Sequence, residues 1–270
     1  MKGSRSSSNK KRCRRSLLGL LAWCVILSSG CAGLERRFFE RPFDSEAVAF
    51  LTGELRAQNE KVQSFFSVGR LQARGWQGEA GEAATFCAGT TSPLRIKIEV
   101  THEWGQPILQ ILIESDRFRY LSFTDRKLYV GSLNSPSLAK LLPGDMDQSL
   151  LHTLVRAYPV LPPHQSAHSH EPNQITFHGE GGGHVRIITF ERDSLRPKEV
   201  TVPPQSIKLV FSDFQSVSGI HFAGETLLVH ALGGRRLSHK VKSMVFNRSI
   251  PEEVFSIRAP PGFEEVPLSP

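Results

Sequence analysis

Cysteine, long apolar runs and recognisable catalytic motifs are all scarce in this chain of 270 residues. Of its four cysteines, Cys13, Cys24 and Cys31 crowd the amino terminus and only Cys87 lies beyond them. The body of the chain can therefore form no internal disulfide. Cys87 sits in the strand-like stretch AATFCAG, with no base at recognisable spacing, and reads as a small buried hydrophobe rather than a nucleophile. The N-terminal apolar run, Leu17 to Leu27, is shorter than the about 20 residues a membrane-spanning helix needs. GxSxG, HExxH and Walker patterns are missing. The glycine-rich GEGGGH at 179–184 lacks the Lys-Ser/Thr ending of a phosphate loop and reads as a hairpin turn. These absences argue against an enzyme, and no cofactor is expected. Acidic residues are missing from the first 30 positions, which hold seven basic ones. Of 33 basic residues, 33 less 7 leaves 26, against 26 acidic residues in the rest. The sequence pI of about 9.4 thus belongs to the N-terminal segment, and the balanced remainder gives no footprint for a nucleic-acid partner.

What the amino terminus does have is a three-part pattern. A basic stretch from Lys2 to Arg15 precedes the apolar run, and Ser28-Ser29-Gly30-Cys31 follows it. That is the grammar of a secretory signal. Small residues before a cysteine, behind a leucine-rich run, resemble the bacterial lipobox, with Ser28 standing where leucine is usual. The resemblance implies that Cys31 carries a diacylglyceryl group, that the chain is cut just before it, and that the new amino terminus is acylated with a chain such as palmitate. The alternative is a plain signal peptide with an incidental cysteine. The expected organisation is a signal at 1–30, a lipidated tether at 31–43 and one folded domain at 44–270. Fully extended at about 3.3 Å per residue, the tether reaches roughly 40 Å.

The domain opens with a helix. Asp44 or Ser45 can cap it, and Val48, Leu51, Leu55 and Val62 recur at helical spacing. From Phe65 the period changes to two. Leu94, Ile96, Ile98 and Val100 alternate with Arg95, Lys97, Glu99 and Thr101, which predicts a half-buried strand. Further runs at 107–114, 118–124 and 127–131, joined by two to five residues, predict an antiparallel meander. Two short helices are expected midway, one from Ser135 or Ser137 to Leu142 and one capped by Asp147. A proline- and histidine-rich loop, PVLPPHQSAHSHEPN, follows. Strands then resume at 174–178, 184–192, 198–202, 206–211, 219–221, 226–231 and 237–246. About ten strands in one antiparallel sheet should curl on themselves.

This layout resembles the LolA/LolB lipoprotein-carrier superfamily. The resemblance rests on the leading helix, VQSFFSVGRLQARG, the meander, the helical insertion at 135–158 and the ending KVKSMVFNRSIPEEVFSIRAPPGFEEV. It implies a mainly β fold with a few α-helices, an antiparallel curved half-barrel whose concave face holds lipid acyl chains under a helical lid. Candidate cavity-lining residues are Leu94, Ile96, Ile98, Leu109, Ile111, Ile113, Ile207, Leu209, Phe211, Leu228, Val241 and Val245, with the face assigned to within one register step. LolB-type acceptors carry an exposed apolar residue on a turn between two early strands. Trp104, in the turn THEWGQP, holds that place here, and it either folds back onto the sheet or faces outward as a membrane contact.

His164, His168 and His170, with His178 and His184 downstream, are the one metal-like grouping. The first three lie in a proline-flanked loop without carboxylate geometry, so no metal is expected. The implied partners are membrane lipids, with acylated lipoproteins or a periplasmic carrier protein as further candidates. The expected state is a monomer anchored through Cys31 at the periplasmic face of the bacterial outer membrane. The competing function is a structural or assembly lipoprotein of the envelope that uses the same fold to bind a protein.

Overall fold

The computed structural model describes residues 41–75, 81–133, 135, 137–138, 141–142, 146–179, 185–203, 206–231 and 234–268. Cys31, the signal, most of the tether, most of the expected 179–184 hairpin and part of the expected helix ending at Leu142 lie outside them. The domain starts with helix α1 (Ser45–Glu60). Asp44 caps it, its Oδ1 accepting from the Ala47 N–H at 2.8 Å. Val48, Leu51 and Leu55, three and four residues apart, form its buried stripe.

Six strands follow as a meander: β1 (Ser64–Arg74), β2 (Ala83–Thr91), β3 (Leu94–His102), β4 (Pro107–Glu114), β5 (Arg117–Ser122) and β6 (Lys127–Ser132). Helix α2 (Gln148–Arg156) comes next. A second meander then runs through β7 (Ser166–His168), β8 (Gln174–His178), β9 (Val185–Phe190), β10 (Pro197–Val202), β11 (Ile207–Val217), β12 (Ile220–His230) and β13 (Arg235–Phe246). A 3₁₀ turn (Glu252–Phe255) leads to the last strand, β14 (Glu264–Pro267). Among the described residues the fourteen strands form one sheet in the order β14-β6-β5-β4-β3-β2-β1-β13-β12-β11-β10-β9-β8-β7. The two meanders join where β1 pairs antiparallel with β13. β14 adds to β6 in parallel, and β14 and β7 are free edges, so the curved sheet is not closed.

This order dictates where α2 lies. The chain leaves β6 near one edge of the sheet and rejoins it at β7, the opposite edge. The connection has to cross a face, and it crosses the concave one. Leu138, Leu142 and Met146 from this connection, and Leu150, Leu151, Leu154 and Val155 of α2, belong to the same core cluster as Ile96, Ile113, Ile188 and Leu209 from both meanders. Both ends of α2 are fastened. At its start Asp147 Oδ1 accepts from the Leu150 N–H at 2.8 Å, both Asp147 oxygens accept from Arg186 Nη2 at 2.7 Å, and Gln148 Nε2 donates to the Ser115 carbonyl at 2.8 Å. At its end the Ala157 carbonyl accepts from the Ala223 N–H at 2.7 Å.

The convex face is covered as well. Phe255 and Ile257, after β13, are buried against Ala88, Leu112, Leu121 and Leu128 in a second cluster. The Arg95 guanidinium lies 4.2 Å from the centre of the Phe255 ring, and Lys97 Nζ donates to the Ser256 carbonyl at 2.8 Å. The strands that are apolar on both faces are therefore apolar for two different coverings.

Three expectations are corrected. The runs at 219–221 and 226–231 are one strand, β12, continuous through Gly224. A Cβ there would stand 2.3 Å from Asp213 Oδ2, so glycine lets the two strands pass. The proline- and histidine-rich loop contains a short edge strand, β7. Val245 faces away from the hollow. Val68 pairs with Ser243 but Gly69 with Val241, so Lys242 is an extra residue that flips the alternation along β13. Val241 packs on the main core, while Val245 pairs with Phe66, which packs on the convex cluster.

Asp147 is both the cap of α2 and the partner of Arg186, whose side chain is only 4% exposed. Asp147→Ala is expected to lower stability by about 2–4 kcal/mol, and Asp147→Asn by less because an amide still caps. Urea denaturation measures both.

Candidate functional site

The expected lining residues sit where the helices meet the sheet. Ile96, Ile98, Ile111, Ile113, Ile207, Leu209, Phe211 and Leu228 are buried in the main core, and Leu94, Leu109 and Val241 lie partly buried against it. They form paired rungs: Ile98 with Ile111, Ile96 with Ile113, Leu209 with Leu228. Over this wall the side chains of α1 and α2 occupy the hollow, with Leu55 and Leu150 at 1% and 0% exposure. The open space lies at the margins of the helices. A cleft of about 660 Å³ runs between the C-terminal end of α1, α2 and the 160–164 segment, with Val62, Leu94, Leu161 and Pro162 among its apolar walls. A second cleft, about 640 Å³, lies between the start of α1 and β7, against Phe43, Val48, Thr52 and Ala167. Both volumes fall in the range of small-molecule sites, about 300–1,000 Å³.

The first cleft contains two groups that the sequence did not single out. Every residue from Leu150 to Arg156 is buried. His152 and Arg156, four residues apart, share one face of it. His152 stacks on Phe65 with ring centres 5.9 Å apart. Burial, and then the positive charge of Arg156, pushes its pKa down to about 4. Burial lowers Arg156 to about 10, which leaves the guanidinium charged at neutral pH. The available signal was the i, i+4 pair of polar residues inside an apolar helix, but only the tertiary enclosure turns it into burial.

Trp104 faces outward. Its side of the β3–β4 turn leaves it 75% exposed. The ring stacks on His102 at 4.5 Å between centres, and Nε1 donates to Gln106 Oε1 at 3.4 Å. Gly105 at φ +85° makes the turn possible. Cys87 is buried, which pushes its thiol up to about 12. The histidines of the proline-rich segment are spread out. His164 packs edge-on against Phe177, and the His168 ring lies 6.2 Å from both His170 and His178. Among the described residues no group of three His, Cys, Asp or Glu side chains is placed to hold a metal ion.

No family model and no curated protein matches this chain. Solved structures do. A DUF1329 family protein from Desulfovibrio piger aligns over 78% of this chain and 96% of its own, with 11% identity and a TM-score of 0.57. A putative outer membrane lipoprotein-sorting protein domain from Vibrio parahaemolyticus aligns over 78% and 97%, with 11% identity and a TM-score of 0.54. The fold is LolA/LolB-like. A LolA superfamily protein from Nitrosomonas europaea also aligns, over 76% of this chain and 97% of its own, at 12% identity and a TM-score of 0.46. At such identities the likeness is one of fold. In this LolA/LolB-like sheet the two helices cover the concave face, and the clefts described above lie at their margins.

Two buried histidines make stability depend on pH. His239, whose Nε2 lies 3.2 Å from Thr85 Oγ1, is pushed by burial to about 4, as His152 is. Unfolded, both titrate near 6.5. Between those values the unfolded chain binds more protons, so stability is flat above about pH 7 and falls as pH drops from 6.5 toward 4. The expected slope is at most about 1.4 kcal/mol per pH unit for each histidine. Urea midpoints from pH 7.5 to 4.5 should show it, with His239→Gln removing roughly half. An unchanged slope in that variant would contradict the assignment.

Proposed function

We propose that this chain is an envelope lipoprotein that binds the acyl chains of lipids or acylated lipoproteins beneath its two helices. The observation that carries the reading is an apolar concave wall covered by α1 and α2, with clefts opening at the helix margins. The likeness in fold to an outer membrane lipoprotein-sorting domain supports it. An acyl chain that leaves water for the apolar walls of the clefts gains about 0.8 kcal/mol for each buried CH₂. Cys31 supplies the anchor, at the periplasmic face of the outer membrane, and the tether holds the domain near the bilayer. Delivery of cargo to the membrane, in the manner of LolB, is the finer form of the proposal. Trp104 is its contact point, because an exposed indole on a polar turn partitions to the headgroup region. The filled hollow also fits a second reading, in which the domain assembles with a protein partner and holds no lipid.

Trp104→Glu should weaken liposome binding by the domain about tenfold, a loss of roughly 1.4 kcal/mol, while the thermal midpoint stays within about 2 °C. With Trp76→Phe in the processed protein, the emission of Trp104 should shift to the blue when liposomes are added. A Trp104→Glu domain that binds liposomes as the wild type does contradicts the membrane-contact role. In cells, Cys31→Ala should move the protein out of the membrane fraction, and retention there contradicts the lipid anchor.

A further inference from the structure

Arg156 is an uncompensated buried charge on the floor of the 660 Å³ cleft. It is 1% exposed and lines that cleft with His152. Its Nη1 donates to the His221 carbonyl at 3.0 Å, but Nε and Nη2 are buried without an acceptor. Among the described residues no carboxylate forms an ion pair with it. The rings of Phe246 and Tyr158, at 4.7 and 5.5 Å from the guanidinium carbon, and the C-terminal end of α2 offset only part of its desolvation. Neutral partners leave a buried cation costly by several kcal/mol. The neighbouring charges are of both signs, with Glu54 acting on Tyr158 and the cations Arg196 and Lys61 acting on His221. His221 is held below its ordinary value by burial and then by Arg196, Lys61 and Arg156. On the rim, exposed Arg56 and Glu60 stand four residues apart on α1 and offset each other. The charged end of the cleft is thus net positive; Val62, Leu94, Val160, Leu161, Pro162 and Pro163 form an apolar wall, and Asn59, Gln63, Thr91 and His164 line the rest.

We propose that this cleft binds a single acyl chain bearing an anionic head, carboxylate or phosphate, with Arg156 as the counter-charge and the apolar wall as the bed for the start of the chain. The inference rests on the lipid-binding reading and names its ligand class and its polar subsite. A carboxylate or phosphate oxygen is the acceptor that Nε and Nη2 lack, and the planar fork of arginine pairs with either through two parallel bonds. Neutral His152 beside it is able to donate one further hydrogen bond from its unpartnered Nε2. Nε and Nη2 are screened from solvent, so the anion reaches them as the side chains over the cleft floor move aside.

The test uses the full-length chain and the fluorescent fatty acid cis-parinaric acid, with its uncharged methyl ester as the comparison. Wild-type protein should bind the acid about tenfold more tightly than the ester, the worth of a charge-assisted hydrogen bond. Arg156→Met, which removes a buried charge without shortening the side chain greatly, should fold and bind both probes with equal affinity; Arg156→Gln serves the same purpose. Displacement by palmitate identifies a carboxylate ligand, and displacement by lysophosphatidylglycerol a phosphate one. Equal binding of acid and ester by the wild type, or a preference that survives both variants, overturns the anion subsite and leaves the lipid-binding reading standing. Failure of the wild type to bind either probe overturns both.

Discussion

One connection governs this molecule. The chain finishes its first meander at β6 and starts its second at β7, and those strands lie at opposite sides of a fourteen-stranded sheet. Because sequentially adjacent strands are not neighbours there, the connection has to span the sheet, and the buried face of a curled sheet is where an amphipathic helix lowers the free energy most. α2 is the result. The sheet joins at β1 and β13 and leaves its edges open, so α2 and α1 close what hydrogen bonding between edges would close in a barrel.

α2 is fastened at both ends. Asp147 and Arg186 tie its start to β9, and the Ala157 carbonyl and Arg156 tie its end to β12. The two ends differ in kind. The first is a paired charge with its hydrogen bonds satisfied, the second a charge whose nitrogens are only partly satisfied. Buried groups left unsatisfied tend to cluster at functional sites, and this one lines the cleft beside α2.

Much of the local structure was legible in the chain. Alternation in LRIKIEVT located β3 closely, the turn-bounded apolar run PILQILIE located β4, and aspartates at 44 and 147 marked both helix starts. Long-range features were not legible, for physical reasons. Nothing near Phe65 or Phe246 announces that they pair across the whole domain. The extra residue at Lys242 looks like any other strand position, yet it turns Val245 from one face to the other. Apolar residues on both faces of β4 were readable, but the covering of its outer face by Phe255 and Ile257 was not, because it comes from a segment far along the chain. The hollow itself was expected open, while the helices fill it in this structure. Trp104 was the converse case: a short polar turn left two placements, and only the three-dimensional structure put the ring outside.

Acyl-chain binding under the helices is the central claim, and the most direct measurement is native mass spectrometry of the chain purified from a bacterial envelope in mild detergent, with the released small molecules fragmented. The expected result is a lipid or acylated species carried at close to one per chain in addition to any covalent anchor, and lost when the domain is unfolded. A chain that emerges without any such species, and in stoichiometric complex with a protein instead, would contradict the claim and leave the fold serving as an assembly module.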